Sequence, residues 1–270
     1  MAWALALGIL VHVSGRLLKP ESQQVTDWKP DRRFWVTHAL VPLALAVVVL
    51  AFMEQSSLDL WLADRWYALE GGSWLWRNHW LTMDVIHHHG KQMIIAIALL
   101  LVCLLLLSIR IRALARWRRP VAYLLICLLA VPAIIAFGKR FSQVPCPWDL
   151  ARYGGDLLYR HNLQYSLAYR VGGYCFPSGH ASGGFALLAF YFAALGRVRR
   201  PGFFLVPGLL VGWVFALGQQ ARGAHFLSQD LWTLAICWFG ALLIFRWYRP
   251  YLESGKADSE FLLAEQRVTT

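Results

Sequence analysis

Six stretches of the chain, 34–53, 93–109, 121–138, 181–196, 201–217 and 231–245, run apolar without a single Asp, Glu, Lys or Arg. Unbroken apolarity over such lengths, with no period-two alternation, predicts helices that face lipid. Several fall short of the roughly 20 residues that a full crossing needs. Polar neighbours such as Ser178 and Arg246 are therefore expected on helical extensions at the rims. The fold class that follows is all-α, a polytopic membrane protein built as a six-helix transmembrane bundle over 34–248. Residues 2–13 are also apolar, but the basic pair Arg16 and Lys19 follows them. The order is wrong for a signal peptide, so 1–33 is expected to be a cytoplasmic or interfacial segment. Residues 249–270 read as a polar, solvated tail, and 58–80 as an amphipathic element lying on the membrane, with a plain packing role as the alternative.

Composition agrees with lipid as the solvent: 58% of residues are hydrophobic, 15% are charged and mean hydropathy is +0.47. Of the 14 tryptophans, Trp35, Trp76, Trp80, Trp117, Trp232 and Trp247 stand near the ends of apolar runs, where an indole with one wet edge prefers to sit. Charge sets an orientation. With the amino terminus inside, segments 1–33, 110–120, 197–200 and 246–270 hold 17 of the 26 basic and 7 of the 15 acidic residues. The inside then carries +10 of the net +11, as positive-inside topology requires. Topology accounts for the excess charge, and no nucleic-acid partner is needed to explain it.

Cys103, Cys127 and Cys237 fall within the apolar stretches, where a thiol serves as a small filler. Cys146 and Cys175 share one outer loop. They are candidates for a disulfide closing that loop, worth roughly 3 kcal/mol by the loop-entropy estimate, with two free thiols as the alternative.

Three clusters fall at the outer ends of the stretches: Lys139 and Arg140 followed by Cys146, Pro147 and Arg152; Pro177, Ser178, Gly179 and His180; and Gln219, Arg222, Gly223, His225 and Asp230. A phosphate ester keeps its negative oxygens throughout reaction, so its hydrolysis needs cations and N–H donors around them. Lys139, Arg222 and Arg152 or Arg140 offer the cations. Ser178 and the N–H groups of Gly179 and His180, at a helix start, offer donors. A neutral imidazole can attack phosphorus when a neighbour fixes its tautomer, and a second imidazole can protonate the departing oxygen. His225 with Asp230 suits the first task and His180 the second.

With Pro177-Ser178-Gly179-His180 between a lysine and a Gly-Ala-His followed by aspartate, the chain resembles the type 2 phosphatidic acid phosphatase (PAP2) superfamily. That family carries the patterns KxxxxxxRP, PSGH and SRxxxxxHxxxD on a six-helix core. The resemblance implies metal-independent hydrolysis through a phosphohistidine, with no cofactor and no metal. The segments QQxRGAHFLSxDLW and CPWDLxRYGG resemble a bacterial membrane branch of the family, which implies a multi-pass inner-membrane protein with its active site facing the periplasm. Three departures stand out. Cys146 occupies the place of the first-motif arginine, so Arg152, or else Arg140, is expected to complete the cradle. Gln219 occupies the place of the third-motif arginine, with Arg222 three residues on. Asp230 follows His225 by five residues, not four. Five residues on one helix leave side chains about 140° apart, so His225 is expected on a turn and Asp230 near a helix start.

A helix start alone would explain an isolated Pro-Ser-Gly. The three clusters in order at one face favour a phosphorylated membrane lipid as partner alongside the bilayer itself. A lipid phosphotransferase and a non-catalytic anionic-lipid binder are the alternatives. The run His87, His88 and His89 reads as interfacial surface, because neighbouring histidines on a helix do not share a face and no other ligand stands at metal spacing. Asp149 and Asp156 read either as partners of the loop cations or as loop caps.

Overall fold

The computed structural model describes residues 30–164 and 173–268. The reading of residues 1–33 as a cytoplasmic or interfacial segment falls largely outside them. The described residues are helical, without strands; one isolated bridge joins Leu150 to Leu157. Seven helices follow one another: α1 (Arg32–Gln55), α2 (Leu58–Leu69), α3 (Leu75–Arg110), α4 (Arg118–Ser142), α5 (179–194), α6 (Val206–Ala221) and α7 (Leu227–Val268). This is an all-α membrane bundle.

Among the described residues, five helices are long and apolar enough to cross a membrane: α1, α3, α6, the first part of α7, and the 112–149 segment that contains α4. Their outer faces stay apolar, with Val48, Leu99, Ile134 and Leu210 each about 60% exposed or more. Such exposure is stable only against lipid tails. The fourth apolar stretch differs. It forms α5 in three pieces, an α turn, a 3₁₀ turn over Ala186–Leu188 and a second α turn, and is too short to count among the five. The physical reason is its surroundings: Ala181, Phe185, Leu187, Leu188, Ala189 and Phe192 are all at most 3% exposed. Protein, not lipid, surrounds α5, so it need not span the hydrocarbon layer unaided.

Glycine makes that burial possible. A Cβ on Gly184 would lie 2.6 Å from the Gly212 Cα, and one on Gly208 would lie 2.6 Å from the Leu188 nitrogen. The backbones of α5 and α6 therefore touch directly, a common packing mode inside membranes. On the other side, Tyr123 of α4 donates its hydroxyl to the Ala241 carbonyl of α7 at 2.9 Å. The backbone of α7 stays helical to Val268, carried past Pro250 by strong helix formers such as Leu252, Glu253, Ala257, Leu262 and Ala264.

Of the two readings of the 58–80 stretch, the packing role is the one its start takes. Asp59 and Ala63 of α2 are buried, and Ala63 packs in one cluster with Leu150, Tyr153 and Phe226. This element roofs the end of the bundle at which the three clusters meet.

Candidate active site

Four elements converge at that end: the close of α4, the start of α5, the turn between α6 and α7, and the loop after α4. Cys175 N–H donates to the Val144 carbonyl (3.0 Å), Trp148 N–H to the Gly223 carbonyl (3.0 Å), and the Thr233 hydroxyl to the Ser178 carbonyl (3.1 Å). Cys146 and Cys175 form a disulfide with their Cα atoms 5.3 Å apart. Asp149 caps the same loop by accepting from the Cys146 N–H at 3.1 Å.

The α6–α7 turn carries the proposed nucleophile. Gly223 sits at φ +68°, and a Cβ there would lie 2.5 Å from the Trp74 ring, so only glycine serves. His225 follows on the turn and Asp230 lies in the first turn of α7. The ring of His225 is 5% exposed. Its Nδ1 lies 2.9 Å from Gln229 Oε1, and a carboxamide oxygen only accepts, so Nδ1 carries the proton and Nε2 keeps a lone pair. The Gln229 amide is itself oriented: its Oε1 also accepts from Phe226 N–H (3.3 Å), and its Nε2 donates to Asn162 Oδ1 (3.4 Å). Burial first, and then the charge of Lys139, push the His225 imidazole down to about 3, against the opposing pull of Gln229 and the Cys175 carbonyl. It is therefore neutral, as a nucleophile must be.

Asp230 does not contact His225. Its Oδ2 accepts from Gln220 Nε2 at 2.8 Å, and its other oxygen faces Ser178. The role expected of Asp230 falls to Gln229, whose side chain reaches back past the start of α7 to both the Phe226 N–H and the His225 ring. Ser178 Oγ and Asp230 Oδ1 are close enough to interact, yet both are buried without a hydrogen bond of ordinary geometry. Orphaned buried polar atoms are uncommon and mark a place built for a further partner.

Lys139, partly buried at the end of α4, reaches over Gly179: its Nζ would lie 3.6 Å from a Cβ placed there. Arg222 is 6% exposed and makes no ion pair among the described residues. Its guanidinium donates to the Arg77 carbonyl (2.9 Å) and to Gln219 Oε1 (3.1 Å). Burial and the nearby Arg77 lower its affinity for the proton. A desolvated cation without a carboxylate fits an anion supplied from outside.

Arg152 does not join this cradle. Its fork is spent on Asp64 of α2 through two bonds of 2.7 and 2.6 Å, and Tyr153 donates to the same carboxylate at 2.9 Å. Half of its side chain faces solvent. Arg140, the second candidate, is exposed. Neither is brought to the Lys139–Arg222 cluster, because a bidentate carboxylate holds the first and the face of α4 carries the second outward.

His180 stacks on Phe215 (4.2 Å between ring centres), and its Nε2 lies 3.1 Å from the Ile86 carbonyl. That carbonyl accepts from the Nε2–H and leaves Nδ1 for exchange. Beside it, 4.5 Å between centres, lies His87, with Gln219 Nε2 2.9 Å from its Nδ1. The surface reading thus holds for the exposed His88 and His89 but not for His87. Sequence reasoning also passed over a polar belt behind His225. Asp59 accepts from the Ser228 N–H (2.9 Å) and from its hydroxyl, Asn162 donates to Ser228 Oγ (2.7 Å), and Glu54 accepts from Asn162 (3.2 Å).

Residues 120–252, which hold the close of α4, all of α5 and α6 and the α6–α7 turn, match the model of the PAP2 superfamily. The chain belongs to the PAP2 superfamily. Its members are in general phosphatases, and the match encloses every residue of the three clusters. No curated protein and no solved structure gives a significant match.

Proposed function

We propose that this PAP2 chain is a lipid phosphatase that hydrolyses a membrane lipid phosphate or diphosphate through a phosphohistidine, at the periplasmic face of a bacterial inner membrane. The observation that carries the reading is His225: buried, neutral, fixed as the Nδ1–H tautomer by Gln229 and within electrostatic reach of Lys139 and His180. The orientation rests on the distribution of basic residues, and the lipid substrate on a site that lies at the end of an apolar bundle.

Lys139, Arg222, Ser178 and the Gly179 N–H hold the phosphoryl oxygens. His225 Nε2 gives its lone pair to phosphorus, and the bond from phosphorus to the leaving oxygen breaks. His180, kept neutral by burial and by His87 with its Nε2–H on the Ile86 carbonyl, takes up a proton at Nδ1 as the phosphate anion arrives beside it, and gives that proton to the leaving oxygen. Water then surrenders a proton to that nitrogen as its oxygen attacks the phosphohistidine, releasing phosphate and restoring both imidazoles. Asp230 is placed to act on Ser178, not on His225.

Phosphate release from phosphatidate, phosphatidylglycerol phosphate, polyprenyl diphosphate and lipid A in detergent, without added metal, tests the reading. At least one is expected to turn over, with label retained on the wild type after an alkaline SDS quench, lost on acid treatment, and absent from His225→Ala. A His225→Ala protein that releases phosphate at the wild-type rate refutes the assignment. Label passed to a second lipid in place of water identifies a phosphotransferase.

A further inference from the structure

The three adjacent histidines of α3 have separate fates. His88 and His89 are exposed, and His88 pairs with Asp84 at 3.5 Å. His87 is turned inward. All three lie in the π-helical stretch Leu81–His89, where the wider turn redirects side chains, and such stretches recur at functional sites.

What holds His87 is a chain of bonds with a definite sense. Arg222 has only donors, so its Nη1 contact at 3.1 Å makes Gln219 Oε1 the acceptor. The other end of that amide, the Nε2 donor, therefore faces His87 Nδ1 at 2.9 Å. Nδ1 accepts, so the proton of neutral His87 resides on Nε2. This is the reverse of His225, whose Nδ1 donates. The ring lies against His180, and Arg222, Lys91 and Lys139 all act on it electrostatically. An N–H donor is thus fixed, by a buried relay, in the region where the phosphate cations meet.

We propose that His87 is a phosphate-contacting residue of this site, donating its Nε2–H to a non-bridging phosphoryl oxygen. The inference rests on the phosphatase reading. Its chemistry explains why a glutamine serves at position 219. Gln219 is 3% exposed and has no charge to offer an anion. It can, however, hold His87 in the donating tautomer while accepting from Arg222. One more donor then reaches the anion without adding charge to a patch that already holds Lys139, Lys91 and Arg222.

His87→Phe keeps a ring against His180 and removes the donor; His87→Gln keeps a donor. With purified full-length protein, His87→Phe is expected to weaken orthovanadate inhibition and lower kcat/KM about 10- to 100-fold, the loss of one charge-assisted hydrogen bond. His87→Gln is expected to restore most of both, and His88→Ala to match the wild type. Should His87→Phe fail to fold, 15N-imidazole spectra of the wild type decide: the His87 Nε2 resonance is expected to move when orthovanadate is added. An unmoved resonance, vanadate inhibition of folded His87→Phe at the wild-type level, or a His87→Gln protein as impaired as His87→Phe overturns the proposal. The two readings fail separately. Wild-type protein that shifts the His87 resonance with vanadate but releases phosphate from no lipid sinks the phosphatase reading alone. Lipid hydrolysis undiminished in His87→Phe sinks the role of His87 alone.

Discussion

Gln229, in the first turn of α7, accepts a hydrogen bond from the His225 Nδ1–H at 2.9 Å. Burial, and then the charge of Lys139, keep the imidazole neutral down to about pH 3; the amide fixes the tautomer and adds no negative charge to offset them. The acid limb of kcat/KM set by this group therefore lies below about pH 4 in the wild type. In Gln229→Glu, a carboxylate beside the ring stabilises the imidazolium, and that limb is expected to move toward neutral pH. Gln229→Leu leaves a buried N–H unpaired and is expected to lower kcat/KM about 10- to 100-fold. Profiles of both variants that superimpose on the wild type would remove Gln229 from tautomer control.

Arg152 is the contrasting case. Its bidentate pair with Asp64 is half exposed, and such pairs contribute about 1 kcal/mol or less. Arg152→Ala is expected to keep kcat/KM within about twofold of the wild type and to lower the apparent Tm in detergent only slightly. A loss of activity approaching that of a Lys139 variant would return Arg152 to the phosphate cradle.

Asp59 supplies a pH signature of the belt behind His225. Burial, outweighing its two bonds from Ser228, raises this carboxyl from 3.8 to about 6. The folded state thus binds the Asp59 proton more tightly than the unfolded chain does. The stabilising contribution of that proton is complete below about pH 4 and is lost as pH rises through 6. Relative to Asp59→Asn, the wild type is expected to lose apparent Tm between pH 4 and 6 and to run parallel above pH 7. Thermal unfolding in detergent across that range measures it; parallel curves throughout would show that Asp59 does not titrate there.

The α5–α6 seam leaves no room for a side chain. Gly212→Val would drive methyl groups into the Phe185 ring, a packing defect of about 2 kcal/mol. A lower apparent Tm and a loss of activity are expected together, because the same helix positions Ser178 and His180. Gly138→Ala, at a position with open space around it, serves as the control and is expected to match the wild type.

Lipid leaves a strong signature in a sequence, and five of the six apolar stretches carry it plainly. α5 was legible as apolar but not as short, since its length is set by the helices around it and not by its own residues. At the site, the three clusters were legible because phosphate chemistry restricts residue types. Their pairings were not. Whether position 229 or 230 lies under the imidazole depends on where α7 begins. Arg152 was misassigned because nothing in the chain announces that Asp64, 88 residues earlier, will occupy its fork. His87 was hidden for the opposite reason: three identical neighbours differ only once a π-helical turn aims one of them.

The enclosure of α5 also bears on how the protein is made. Its two closest wrappings, α6 and α7, leave the ribosome after it, and the Ser178–Gly179–His180 entrance gains little from surrounding lipid. The segment becomes secure only as the later helices arrive. Gln229, on the last of them, then orients His225. A product cut short before Leu227 would possess the lysine and the serine but no oriented imidazole, so chemical competence is reserved for chains whose translation has nearly finished.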